Sequence, residues 1–514
     1  MLFFRLIFNT SISYIYPMEP LLCLLYSTLF IIMILKWKFF SVDALSKSFF
    51  ALIFILKIAS GLSLWLIYTY YYTDRSTADI YKYFDDSSVI FGSLKNSFLD
   101  FFKLIFWAGD ETHLKQYVLK MDYWYREFEG NAINEDRTMI RVNALFRLFS
   151  FGYFNVHTVF FSCLSLIGLT AIYRTFSKFL SGRKRIFAIL LFLFPSLLFW
   201  GSGVLKESLV LFAVGILVYS FSKMLEGNFL KNFIFVLIFT LLLLLIKSYM
   251  LLVLIPGFLI WMMLKLTGEN YAFIKFLLGI SVCIAGAFLI PKINLAERIV
   301  TKQKMFINIA NGGTHLMHHN KFVYIKPEIK NPITFRDEKR YCKINDGVQY
   351  QYWLRENNKD TLAATSENDT ASYWIFYSQP PSGSRINIGR LENIFFSFLK
   401  NAPLAFWNSL ARPYPWEAKS VLLILPALEN LLILLLIILA VSFSSYKKCN
   451  KELFFFCLSA VIFLFLLIGY TTPVIGAIVR YKIPALPFLF VFLLLVIDSE
   501  KIRNKLPFLK PFFT

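Results

Sequence analysis

Uninterrupted apolar runs limit this chain more than any other feature. Phe233 to Ile246 and Leu431 to Val441 contain no charge, and comparable runs recur along the sequence. Soluble domains break such runs with polar residues every few positions. A stretch of roughly 18 or more apolar residues reads as a membrane-spanning helix. The 514 residues are 57% hydrophobic, with a mean hydropathy of +0.60. The expected fold class is an all-α polytopic membrane protein of about eleven spans. Met1 to Pro17 lacks a small-x-small cleavage pattern and makes a poor secretory signal.

The eleven spans expected are Leu21–Lys36, Phe50–Tyr70, Phe154–Phe176, Ile186–Trp200, Val204–Met224, Leu230–Ile246, Met250–Leu266, Phe273–Pro291, Val421–Phe443, Leu453–Tyr470 and Ile483–Ile497. Five regions follow: N-terminal membrane segments (1–70), a first polar loop (71–153), a central bundle (154–291), a large polar loop (292–419) and C-terminal spans (420–514). Lys and Arg accumulate on the cytoplasmic side of short connections. Arg183-Lys184-Arg185, Lys223 to Lys231, Lys265 to Lys275, Lys447-Lys448 and Lys501 to Lys505 all fall on one side. The two long loops then lie outside, as an extracytoplasmic cap, and the localisation expected is a bacterial inner membrane. The N-terminus is outside if Met1 to Pro17 lies flat on the membrane, and inside if that segment inserts.

The net charge is +21. Most basic residues flank apolar runs, where they anchor helix ends to lipid headgroups. No basic fold signature for nucleic acid is present, so membrane lipids are the expected partners and nucleic acid is not. Six cysteines show no CxxC and no zinc spacing. The aromatic content of both long loops argues that they fold. "NSFLDFFKLIFWAG" and "NIFFSFLKNAPLAFWNSL" suit helices lying in the interface plane.

Chemistry concentrates in "TADIYKYFDDS", Thr77 to Ser87. Read as a helix starting near Ser76, it places Asp79, Tyr83 and Asp86 on one face and turns Asp85 toward the side of Lys82. Its plain structural reading is a capping box, "STAD", with Asp79 tying down the helix start. Other charges sit at the same expected membrane face. Lys206 and Glu207 follow a Gly201-Ser202-Gly203 break, and Lys247 separates two apolar runs. Arg412 lies in "ARPYPWEA", and Arg480 and Tyr481 lie in "VRYKIPALPF". Ionisable groups at membrane depth mark functional sites by default, with snorkelling to headgroups as the alternative. Carboxylates facing Arg and Lys suit a reaction at a hydroxyl near a phosphate. An Asp can take the hydroxyl proton, and an Arg can hold the phosphate bidentately. "HLMHH" offers His315, His318 and His319 as a metal set, though Gly312-Gly313 argues for a loop there. Glu429-Asn430 interrupts a span and should face the bundle interior.

This layout resembles the type C glycosyltransferases, membrane enzymes that use polyprenyl-phosphate-linked sugars. "ADIYKYFDDS" resembles their acidic first outer loop. "FPSLLFWGSGVLKESLVLF" is similar to a Pro-then-Lys-Glu stretch of bacterial members and related polysaccharide-assembly proteins. "IVRYKIPALPFLFVFLLL" looks like the Arg-Tyr-x-x-Pro-x-x-Pro ending of their last core helix. The resemblance covers the membrane scaffold, about two thirds of the chain. It implies a polyprenyl-phosphate-linked sugar as donor and a glycan or lipid-linked acceptor. It implies Asp79 as base with Asp86 in support, and Tyr83, Asp85, Lys206, Glu207, Lys247, Arg412, Arg480 and Tyr481 around the substrate. Two departures stand out. The acidic loop follows the second span rather than the first. Its motif is D-x5-DD rather than a compact D-x-D, so a divalent metal cofactor stays open. A repeat-unit polymerase and a lipid-linked glycan flippase are the alternatives; flippases tend to carry internal repeats and paired broken helices.

Overall fold

The computed structural model describes residues 18–72, 75, 78–106, 111–124, 135–289, 294–318, 321–337, 341–354, 362–367, 370–446 and 449–513. Contacts divide the chain into two units. The first comprises Met1–Glu269, Leu436–Leu458 and Leu486–Thr514, and the second Asn270–Leu435 and Ser459–Ala485.

The first unit opens with α1 (Met18–Lys36) and α2 (Lys47–Leu66). Four shorter helices follow: α3 (Asp79–Gly92), α4 (Phe98–Phe106), α5 (Glu111–Val118) and α6 (Glu135–Ser150). Next come α7 (Phe154–Phe176), the broken pair α8 (Lys184–Phe192) and α9 (Pro195–Trp200), α10 (Lys206–Leu225) and α11 (Phe229–Thr267). The second unit holds α12 (Ala272–Leu289), α13 (Leu295–Asn311), a sheet and α14 (Phe395–Ala411). α15 (Val421–Ser442) and α16 (Lys451–Thr471) each run from one unit into the other. Beyond α17 (Ile475–Tyr481) the chain returns to the first unit as α18 (Leu486–Val496) and α19 (Ser499–Lys505).

Eight helical stretches among the described residues are long and apolar enough to cross a membrane, where eleven were expected. The difference has three causes. Ile186–Trp200 breaks between α8 and α9, at Leu193 and Phe194, because Pro195 opens a new helix there. The apolar part of α12, Ala272–Phe288, falls short of the others in length. The runs on either side of Lys247 join into one 39-residue element.

That element is not straight. Lys247 has φ −153° and ψ 81°, which is extended backbone inside a helix. A straight helix of this length would reach about 58 Å, nearly twice a bilayer's hydrocarbon core. Both arms lie along α10 instead. Glu207 meets Lys247, Phe212 meets Phe239 at 5.2 Å between ring centroids, and Phe221 meets Phe258 at 4.5 Å and Trp261 at 5.5 Å. Moving away from Lys247 in either direction, the chain meets α10 residues farther from that helix's start. α11 is therefore a hairpin with Lys247 at its tip, as the two separate apolar runs imply.

The core of the first unit is α7, 89% of whose best spanning window is buried by protein, against 6% for α1 and 17% for α11. α7 and α10 meet at two glycines. A Cβ on Gly168 would stand 2.2 Å from the Leu211 carbonyl oxygen, and one on Gly215 would stand 2.1 Å from that of Gly168. Without a hydrophobic force between helices in lipid, such small-residue contacts let backbones pack closely.

The large polar loop folds as helix, sheet, helix, which adds one small sheet to the helical membrane architecture expected. Seven strands, β1 (Gly313–His318), β2 (Lys321–Ile325), β3 (Ile333–Asp337), β4 (Tyr341–Ile344), β5 (Gln349–Leu354), β6 (Leu362–Thr365) and β7 (Tyr373–Gln379), form one antiparallel sheet in the order β3-β4-β7-β1-β2-β5-β6. Leu316, Val323, Cys342, Ile344 and Tyr373 pack its core. "HLMHH" is thus not a loop: β1 takes it up to His318. Strand geometry sends residues three apart to opposite faces. His315 stacks on Tyr324, while His318 bonds the Ser372 carbonyl through Nδ1 at 2.8 Å. His319 lies outside the described residues.

His315 is 7% exposed, and burial pulls its pKa down to about 4. The folded state therefore resists a proton that the unfolded chain accepts near pH 6.5. Stability should fall as pH drops from 6.5 to 4 and level off below, by about 3 kcal/mol in total. The thermal midpoint of the purified protein across that range checks this. His315→Gln should flatten the descent; an unchanged profile in that variant would remove His315 as its source.

Candidate functional site

α3 begins at Asp79, so Asp79 is the first helical residue rather than the third, as a capping box would require. Ala78 occupies the N-cap and makes no side-chain cap bond. Ser76 and Thr77 lie outside the described residues. A carboxylate in the first turn still suits the positive end of the helix dipole. The Asp79 side chain is 34% exposed and stands 3.6 Å from Lys82. Tyr83, one turn on, is buried, and the Lys206 ammonium lies 5.5 Å from its ring centroid.

Lys206 is held between two acids of α6, at 2.7 Å from Asp136 and 3.1 Å from Glu135. Glu207 is fully buried and accepts from Lys247 at 2.9 Å. Thr138 of α6 donates to the Leu245 carbonyl at 2.9 Å, tying the hairpin tip to the same helix. Asp79, Tyr83, Lys206, Glu207 and Lys247 thus collect where α3, α6, α10 and the α11 tip meet, although their positions run from 79 to 247.

Asp85 and Asp86 take other roles than sequence spacing suggests. Asp85 faces Arg75 rather than Lys82, in an exposed bidentate pair at 2.6 and 2.9 Å. Asp86 is buried and accepts the backbone N–H groups of Asp122 and Tyr123 at 2.9 and 2.7 Å. Both its oxygens hold the end of the α5 segment in place, so it serves as a clasp beside Asp79. Among the described residues no group of three or more His, Cys, Asp or Glu gathers to hold a metal.

Arg412, Arg480 and Tyr481 belong to the second unit. Arg412 is committed locally: it pairs with Glu417 and donates Nε to Asn408 at 3.0 Å. Lys482, buried, donates to Asn430 and to the Arg412 carbonyl at 3.3 Å. Asn430 donates in turn to the Pro413 carbonyl at 3.1 Å, so Glu429-Asn430 does face the interior. Arg480 and Tyr481, both half-buried, close α17.

No family model, curated protein or solved structure matches this chain.

Three features escaped the sequence reading. Ser150, His157 and Asn143 form a buried relay, with His157 Nε2 2.7 Å from the serine hydroxyl and Nδ1 2.8 Å from the amide oxygen. All three are shut from solvent, which makes the relay a clasp between α6 and α7. Arg147 is buried, donates to Ser87 and to the Phe84 carbonyl at 2.7 Å each, and lies over the Phe84 ring. Burial brings its pKa down to about 10, so it stays charged at neutral pH. Arg137 and Arg141 of α6 flank Trp124. The run "EDRTMIRVNALFRLFS" carries arginines at helical spacing and was the available signal for the last two features.

Proposed function

We propose that this protein is a membrane glycosyltransferase that moves a sugar from a polyprenyl-phosphate carrier to a lipid-linked or polymeric acceptor. The observation that carries the reading is the half-buried Asp79 one turn from Tyr83, whose ring the Lys206 ammonium meets. Asp86 is buried on backbone N–H groups and Asp85 is held bidentately by Arg75, whereas Asp79 stands 3.6 Å from Lys82. In the reaction, an acceptor hydroxyl attacks the anomeric carbon as Asp79 takes its proton. The bond from that carbon to the phosphate oxygen breaks, and polyprenyl phosphate leaves with the bonding pair. Tyr83, one turn from Asp79, stands against Lys206, and the Glu207–Lys247 pair holds the start of α10 to the α11 tip.

The experiment is sugar transfer by the protein in liposomes carrying a polyprenyl-phosphate sugar and a lipid-linked acceptor, with Asp79→Asn alongside. A flippase for a lipid-linked glycan is the second reading. Lys57 favours it: that side chain is fully buried in a spanning helix, and its ammonium has no hydrogen-bond partner among the described residues. Transport without transfer in the same liposomes would establish it.

The reading places α3 and the sheet outside and the basic turn at Arg183 in the cytoplasm. In a background free of the six native cysteines, cysteines at Ser88 and Gly383 should react with an impermeant thiol reagent added to whole cells. One at Ser181 should react only after lysis. Labelling of Ser88 and Ser181 from the same side would remove the site from the outer face.

A further inference from the structure

We infer that Met305, His315 and Met317 form a binding site for a single soft monovalent cation, copper(I). The three residues line one small cavity between α13 and the sheet, with Ile309, Leu316, Phe322 and Val323 as the rest of its wall. His315 and Met317 are two positions apart on β1, so they share a face, and β2 sets Tyr324 and Phe322 opposite them. The alternation that parts His315 from His318 therefore joins it to a methionine instead. Met305 comes from α13, one turn from Ile309. All the residues involved belong to the second unit, so the site stands apart from the transferase reading.

The His315 ring is buried, and its Nε2 has no hydrogen-bond partner among the described residues. The ring bonds the Asn308 backbone of α13, and that bond favours the protonated form, so the ring is the donor. In a neutral imidazole the other nitrogen, here Nε2, then carries the lone pair. Burial keeps the ring neutral down to a pKa of about 4, which leaves that lone pair free to bind a metal at neutral pH. A water would serve it poorly. A buried water makes about two to four hydrogen bonds, and among the described residues no other side chain of the wall carries nitrogen or oxygen.

The cavity, of about 10 Å³, has room for one small atom and not for an organic ligand. Two thioethers beside one imidazole are a soft donor set, and thioether ligands favour copper(I). Zinc draws on thiolate, imidazole and carboxylate, of which this wall holds one imidazole. All three ligands are neutral, so nothing in the wall offsets a second positive charge, and a buried charge left without compensation is costly. A monovalent ion keeps that cost lowest.

The test uses the full protein in detergent without oxygen, with copper(I) supplied from a coloured chelator that competes for it. The wild type should bind one equivalent more than His315→Gln, and one more than the Met305→Leu/Met317→Leu pair, which keeps side-chain volume and removes both sulfurs. Equal uptake by all three proteins would overturn the proposal. Thiols are the rival sink, since all six cysteines are free. A thiol must release its proton to bind the metal, so affinity there should fall about tenfold per unit between about pH 8 and 5. The equivalent at His315 should hold its affinity across that range, because its imidazole is already neutral and thioethers carry no proton. This profile needs no variant, and a thiol-like decline in every equivalent bound would overturn the site. A midpoint rise with zinc(II) that His315→Gln abolishes and the methionine pair retains would also overturn it, by taking the sulfurs out of the ligand set.

Discussion

Glu207→Leu should destabilise the first unit by about 3–5 kcal/mol, the usual cost of stranding one charge of a buried pair. The Glu207 carboxylate is fully buried and the Lys247 side chain is 5% exposed, so water cannot replace a lost partner. Lys247→Met should cost a similar amount. The double variant, Glu207→Leu with Lys247→Met, should recover most of the loss, because two apolar side chains of similar volume need no partner. Chemical or thermal unfolding of all four proteins in one detergent gives the coupling energy directly. Simple addition of the two losses in the double variant would show that the pair is not what holds the hairpin tip to α10.

Asp79→Asn should lower sugar transfer by roughly a hundredfold or more, since asparagine cannot take a proton from the acceptor hydroxyl. The substitution keeps size and a side-chain acceptor. Asp79 makes a long, half-buried ion pair with Lys82 at 3.6 Å, and pairs so loosely closed contribute about 1 kcal/mol. Stability should therefore hardly change while turnover collapses. Asp86→Asn should show the opposite pattern. Its two backbone bonds are to buried carboxylate oxygens, so the midpoint should fall, and activity only as far as folding does. Full transfer by Asp79→Asn would exclude the base, and full transfer by variants of all three aspartates would exclude the reaction.

The apolar runs made the spanning helices legible, because hydropathy acts residue by residue along the chain. The hairpin was legible for the same reason: Lys247 stands between two runs. Its partner was not, since Glu207 lies 40 positions earlier and only packing of α10 against α11 joins them. Asp79, Tyr83 and Asp86 share the expected face of α3. Which of them stays accessible depends on where Asp122 and Tyr123 arrive, and no local pattern encodes that. "YQYWLREN" and "SYWIFY" overlap β5 and β7; their aromatic content pointed to a folded region, but not to strands. Arg137 and Arg141 meet Trp124 only through the fold, and no local pattern joins them.

The way the chain leaves the first unit and returns to it bears on how a ribosome can build it. Arg183, just before α8, donates to the carbonyls of Leu494 and Ile497, the latter 314 positions later. At roughly 5–20 residues per second, that partner emerges about 15–60 s after Arg183. Throughout that interval Arg183 lacks these two carbonyls, while the segments of the second unit are made. The packing of α8 is therefore completed only by α18, and a nascent chain stopped anywhere in the sheet has not yet made that partner.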